Sequence, residues 1–184
     1  LPNTINYLDS KGGMLFRGFN KVGHNSYPNV MAMVSGEFGG PYPPPAPEGG
    51  GIYLLDKERQ AIIQTVYTHH GYTSLHMEDL EIYGTFARDQ EIGLSKPPTD
   101  LYYRGPYMAM WKMHLLNSLV GTWDCYACVQ DELLHVQEFG VISDFMETYS
   151  DVPNIMFVHL AQYSHNDVNM AKLYDHDLQS MIQT

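Results

Sequence analysis

Residues Asn154 to Leu160 read N-I-M-F-V-H-L, a short apolar run with turn residues before it and a polar stretch after it. The run is of strand length, too short for a helix of its own. It does not alternate, so it asks for cover on both faces of a sheet. Tyr72 to Met77 is a second extended segment. Helical patterns stand around these two. Pro2 to Tyr7 reads as the end of a helix stopped by Gly12-Gly13, and Met14 to Asn20 as extended chain. Pro28 to Val34 is a short apolar helix closed by Gly36. Asp56 to His70 sets Ile62, Ile63, Val66 and Tyr67 on one helical stripe and stops at Gly71. Pro106 to Val120, with Met110, Met113, His114 and Asn117 at turn spacing, Val136 to Tyr149, and Val168 to Ile182 complete the helices. Alternation of this kind predicts an α/β fold, helices layered around a mainly parallel sheet.

A chain of 184 residues, 44% of them hydrophobic, can bury one real core. At 17% charged residues and with 14 tyrosines it is no disordered polyelectrolyte. A net charge of −11 argues against nonspecific binding to nucleic acid or anionic membrane, which needs lysine and arginine to neutralise phosphate. No apolar run reaches the roughly 18–20 residues that span a bilayer. The Pro/Gly-rich stretch 39–51 reads as a surface loop inside one domain. Cys125 and Cys128 form C-Y-A-C, open to four readings: a strained local disulfide, a redox pair, half of a zinc site or two thiols.

The chemistry concentrates in Lys21 to Glu37, K-V-G-H-N-S-Y-P-N-V-M-A-M-V-S-G-E. Extended chain enters Gly23, a polar knot follows, and Pro28 starts a helix, its missing N–H costing nothing in a first turn. Ser26 then lies at a helix N-terminus, where free N–H groups and the positive dipole end favour an anion. Its hydroxyl is either an ordinary N-cap or a nucleophile for a phosphorus or sulfur centre. His24 is either a base beside it or a surface histidine. Ser164 to Asp167, after the apolar strand, is either a polar turn capping the last helix or a ligand-binding strand end. Glu78 and Asp79 are assigned no catalytic role.

P-N-T-I-N-Y-L-D-S-K-G-G-M-L-F followed by S-Y-P-N-V-M-A-M-V-S-G resembles the sulfatases. In that family a helix carrying P-N-L-D-x-L-A-x-x-G-x-x-F precedes the nucleophile motif C-x-P-S-R, which runs into L-T-G. The likeness is nearer to an animal group of sulfatase-like proteins in the alkaline phosphatase superfamily. That group reads G-Y-N-K-V-G-D-N-T-F-P-N where this chain has G-F-N-K-V-G-H-N-S-Y-P-N, Gly18 to Asn29. G-Y-T-S-L-H-M-E-D (Gly71 to Asp79), I-Y-G-T-F (Ile82 to Phe86) and K-P-P-T-D-L-Y-Y-R-G-P (Lys96 to Pro106) match further blocks of the group in order. F-V-H-L-A-Q-Y-S-H-N-D-V-N (Phe157 to Asn169) and Asp175 to Leu178 match the last ones.

The resemblance implies a three-layer αβα domain, alkaline phosphatase/sulfatase-like, of which residues 1–184 are a part: the family draws metal-binding residues from an upstream strand and a downstream D-H-G. It implies a metal-dependent phosphoesterase or sulfatase-like hydrolase, secreted or lumenal, with Ser26 as nucleophile. His24, Asn25 and His165 would bind substrate, and Ser26, His165 and Asp167 would bind metal, zinc first and calcium second. Serine in place of the group's threonine keeps a hydroxyl and excludes formylglycine, which leans toward phosphate esters. His24 replaces an acid and removes a charge. The other class of function is a non-catalytic structural or binding module on the same scaffold. A sheet cut through its middle would expose an edge for a protein partner or a second copy. A third reading, a small serine hydrolase using Ser26 and His24, lacks G-x-S-x-G and an orienting acid.

Overall fold

A computed structural model describes residues 1–36, 53–54, 62–79, 84–86, 92–112, 128–129, 132–161, 164–165 and 167–183. The loop expected at 39–51, Cys125 and the latter part of the helix expected over 106–120 lie outside them. The elements in chain order are α1 (Pro2–Ser10), α2 (Ser26–Ser35), β1 (Tyr53–Leu54), α3 (Ile63–His69), β2 (Thr73–Glu78), β3 (Ile92–Gly93) and β4 (Leu101–Tyr103). There follow α4 (Gly105–Lys112), β5 (Cys128–Val129), β6 (Glu132–Leu133), α5 (Leu134–Thr148), β7 (Asn154–His159), a 3-10 helix (Val168–Tyr174) and α6 (Asp175–Gln183).

The central sheet is three-stranded and parallel, in the order β4-β2-β7, so the expected α/β fold holds. Register sorts the side chains by face. His76 lies opposite Tyr102 and Phe157, and Glu78 opposite His159, so these residues share one face. Leu75, Met77, Tyr103, Met156 and Val158 alternate onto the other.

Each face has its own helical layer. On the first, Tyr27, Val30, Met31 and Val34 of α2 are buried with Ile62 and Phe86, and Phe157 packs against them. On the second, Met77 joins Tyr107 of α4 and Leu134, Phe139 and Ile142 of α5, with Leu178 and Met181 of α6 alongside. Helices on both faces of a parallel sheet make the described residues part of a three-layer αβα arrangement. Burying Met77, Leu134 and their neighbours stabilises the fold by ~1.5–3 kcal/mol per large side chain.

Three expectations change. The strand that looked most apolar, β7, is half-buried along its length, because it pairs only with β2 among the described residues. The central strand is β2, whose sequence T-S-L-H-M-E is the more polar, and Ser74 to Glu78 are all buried. Of the stripe read for 56–70, Ile62 is buried, but Ile63, Val66 and Tyr67 are exposed, whereas Gln64 and Thr65 are buried. Polar partners decide this. The Thr65 hydroxyl donates to the Pro98 carbonyl at 2.9 Å, and Thr68 bonds Ser74 of β2. Third, the closing helix is split, since 168–174 is wound as 3-10 and α-geometry begins at Asp175.

Asp175 also fastens the two ends of the chain. Its carboxylate accepts from the N–H groups of Asn3 (2.9 Å) and Thr4 (3.0 Å) and from the Thr4 hydroxyl (2.8 Å). No side chain of α1's own N-cap does this work. Burial opposes the charge, but the hydrogen bonds from Thr4 and Asn3 outweigh it and hold the carboxyl below its ordinary range. The tether is therefore complete above the ordinary aspartate pKa, about 4, and weakens as pH falls below it. Asp175→Ala is expected to fray α1, speeding amide exchange at Asn3 and Thr4 while Met77 in β2 stays protected. Equal exchange at Asn3 in parent and variant would contradict this.

Candidate functional site

The loop before α2 is organised by one side chain, Asn29. Its Oδ1 accepts from the N–H groups of Val22 (2.9 Å) and Gly23 (3.5 Å). Its Nδ2 donates to the carbonyls of Gly23 (2.9 Å) and Asn25 (2.6 Å). Gly23 is glycine for a steric reason, because a Cβ there would meet Pro28 Cγ at 2.5 Å. At the far end Gly36 closes α2 in the left-handed conformation, φ 71°.

Ser26 proves to be the first residue of α2, and Asn25, in extended conformation, is the N-cap. The N-cap reading of Ser26 is thereby replaced: the helix begins two residues before Pro28, which still lies in the first turn. Ser26 is exposed, and its hydroxyl makes no hydrogen bond among the described residues. His24 and Asn25 are exposed beside it, and His24 Nδ1 faces the Lys21 ammonium at 3.4 Å. Free N–H groups of a first turn, a lysine and an unengaged hydroxyl together suit an oxyanion.

His165 and Asp167 follow β7. The Ala161 carbonyl accepts from the N–H groups of Ser164 (3.0 Å) and His165 (2.7 Å), forming a turn. Asp167 caps the 3-10 helix, its Oδ1 accepting from Asn169 N and Nδ2, each at 2.9 Å. Both residues are exposed, and Asn166 lies outside the described residues. No hydrogen bond joins Ser26 to His165 or Asp167 among the described residues. No group of three or more His, Cys, Asp or Glu able to hold a metal ion occurs among them either.

The densest polar chemistry is elsewhere, at the carboxyl ends of β2 and β7. Glu78, buried, accepts from Thr85 N–H at 2.6 Å, and its Oε1 stands 3.7 Å from His159 Nδ1. Its Oε2 stands 3.6 Å from His76 Nε2. Thr85 Oγ1 lies 3.5 Å from His159 Nδ1. Burial alone would raise the Glu78 pKa, but His159, His76 and Thr85 outweigh it and hold the carboxyl far below its usual range. His159 is raised in return, chiefly by the adjacent Glu78 carboxylate against the pull of burial. Across the sheet, Asp79 Oδ1 accepts from Ala161 N–H at 2.8 Å, fixing the turn that leads to His165. Tyr107 donates to buried Glu138 at 2.9 Å. Burial first, then the charge of Asp79, push Glu138 up to about 8.

Sequence reasoning set Glu78 and Asp79 aside as turn residues and did not single out His76 or His159. One signal was present: T-S-L-H-M-E puts Ser74, His76 and Glu78 on a single face at strand period.

No curated protein and no solved structure matches the chain. No helix among the described residues is long and apolar enough to cross a membrane. A family match does exist and spans residues 1–184, so the chain belongs to DUF229, the family described as "Protein of unknown function".

Proposed function

We propose that this chain is part of a hydrolase acting on phosphate or sulfate esters, with Ser26 as the nucleophile. The observation that carries the reading is the exposed, unengaged Ser26 hydroxyl at the first position of α2, behind a loop held by Asn29. The likeness of Gly18 to Asn29 to the sulfatase-like motif supports it, as does membership of DUF229. Serine rather than cysteine at this position favours phosphate esters. His24, Asn25 and His165 are proposed to contact the substrate's oxyanion, and a secreted or lumenal setting goes with the reading. A divalent ion, zinc or calcium, would supply a lowered hydroxyl pKa if bound at Ser26, His165 and Asp167. The proposal stands on the hydroxyl and the helix terminus.

The test is turnover of nitrophenyl phosphate, bis(nitrophenyl) phosphate and nitrophenyl sulfate by the purified chain, with and without added zinc or calcium. Phosphate-ester cleavage with an acid-stable phosphopeptide containing Ser26 is expected, and Ser26→Ala should have neither. Equal rates for parent and Ser26→Ala would end the proposal.

A second reading, a protein-binding module on the same scaffold, is favoured by the sheet edges. Among the described residues β4 and β7 each pair on one side only, and Met14, Leu15, Phe16 and Phe19 are exposed. Unpaired strand edges recruit other chains. A dimer or larger species in light scattering of the purified chain is expected on this reading, and a concentration-independent monomer would count against it.

A further inference from the structure

The Ser26 helix and the Glu78 cluster occupy the same face of the sheet. Tyr27, next to Ser26, is buried with Phe86, and the Phe86 ring lies 4.8 Å from that of His76. Phe157 stacks on His76 at 5.2 Å and also packs against the α2 cluster. Two residues along β7 on this face comes His159, the last residue of the strand, opposite Glu78. In parallel α/β sheets this carboxyl edge is where ligands bind.

The cluster has the build of an oriented imidazole. Glu78 is fixed by Thr85 N–H and presents Oε1 to His159 Nδ1, with Thr85 Oγ1 on the same ring nitrogen. Glu78 and His76 are 1% and 0% exposed, whereas the His159 side chain retains 25%, so it alone of the three reaches solvent. Buried Glu78 Oε2 and both His76 ring nitrogens have no hydrogen-bond partner among the described residues, which is unusual for interior polar atoms and common at functional sites.

We propose that His159 is the proton-transfer residue of the Ser26 site and that Glu78 is its positioning residue. The proposal rests on the hydrolase reading. The Ser26 oxygen bonds to phosphorus as the bond to the leaving oxygen breaks. His159 accepts the hydroxyl proton and gives it to the leaving oxygen, which departs as an alcohol. Water then attacks the phosphoserine, and its proton passes through the same imidazole to the Ser26 oxygen, releasing phosphate. His159 ends each cycle neutral, as it began. The titratable groups acting on it are Glu78 and Asp79 from β2 and its end; Glu78 in turn faces His76 of β2 and Tyr102 of β4, which has Arg104 beside it.

The experiment combines kinetics on nitrophenyl phosphate with histidine titration by NMR in the full chain. His159→Ala is expected to lower kcat by roughly 10²–10⁴-fold with little change in KM, and added imidazole to restore part of it. Activity should rise with pH as His159 loses its proton. Glu78→Gln, by removing the charge that favours imidazolium, should move that limb and the His159 NMR titration to lower pH. If Ser26→Ala is inactive but His159→Ala keeps the parent kcat and pH profile, the inference falls and the hydrolase reading stands. If the parent chain cleaves no ester, both fall. A His159 titration that Glu78→Gln leaves unmoved overturns the positioning role whatever the activity.

Discussion

Glu138→Gln is expected to abolish most of the stability this protein loses between mildly acid and mildly alkaline pH. Glu138 of α5 is buried beside Asp79, with Tyr107 donating to its Oε1 and no hydrogen-bond partner on Oε2 among the described residues. Burial, then the Asp79 charge, raise its carboxyl from 4.5 to about 8. The sign follows from proton linkage. In the folded chain the group stays protonated over a range where the unfolded chain has already ionised it. Its favourable share of stability is complete below the unfolded pKa and is lost as pH rises through the folded one. A shift of this size corresponds to at most ~4–5 kcal/mol, reached on the alkaline side of the folded pKa. Glutamine keeps an oxygen for Tyr107 and never ionises. Urea unfolding at a series of pH values should show the parent falling from acid to alkaline and the variant nearly flat. Parallel curves would mean that Glu138 is ionised at no cost, and the argument would be wrong.

Much of the scaffold could be read from the chain because its helices and strands are locally coded. The apolar run 154–160 became β7, and the 3.6-residue pattern near Val136 became α5. What could not be read was the neighbour each element finds. Ile63, Val66 and Tyr67 look like a core stripe until Pro98 and Ser74 are seen to claim the other side of α3 through Thr65 and Thr68. Asp175 caps α1 from 171 residues away at Thr4, and no local pattern records that. The site divides the same way. Ser26 at a helix start was visible because Gly23 and Pro28 punctuate the loop. His159 was hidden inside an apolar strand, its meaning fixed only when register set it opposite Glu78. The proposed ligands His165 and Asp167 were chosen from their place after an apolar strand and from the family resemblance, and the turn they occupy engages Asp167 as a cap.

Asn29→Ala is expected to disconnect Ser26 from its surroundings while leaving the sheet intact. The Asn29 side chain holds Val22, Gly23 and Asn25 at once, using both its oxygen and its amide nitrogen. Alanine leaves those backbone groups to water. Partly exposed groups recover part of what they lose, so destabilisation of ~1–3 kcal/mol is expected rather than the full sum of bonds. The effect on chemistry should be larger. A nucleophile displaced by about 1 Å can lose ~10²-fold in rate, and Asn25, whose own side chain makes no cap hydrogen bond, loses the amide that holds its carbonyl. Asn29→Asp separates the two roles, keeping the acceptor for Val22 and Gly23 while losing the donor to Gly23 and Asn25. It should unfold nearer to the parent than the alanine variant does, yet remain slow, if the Asn25 carbonyl is what sets the Ser26 position. Gly23→Ala reaches the same loop by steric conflict with the Pro28 ring and should be impaired with all of Asn29's bonding groups present. Parent-like turnover in both Asn29→Ala and Gly23→Ala would show that Ser26 needs no preset geometry. A nucleophile cannot be indifferent to its position in that way, whereas a surface serine can.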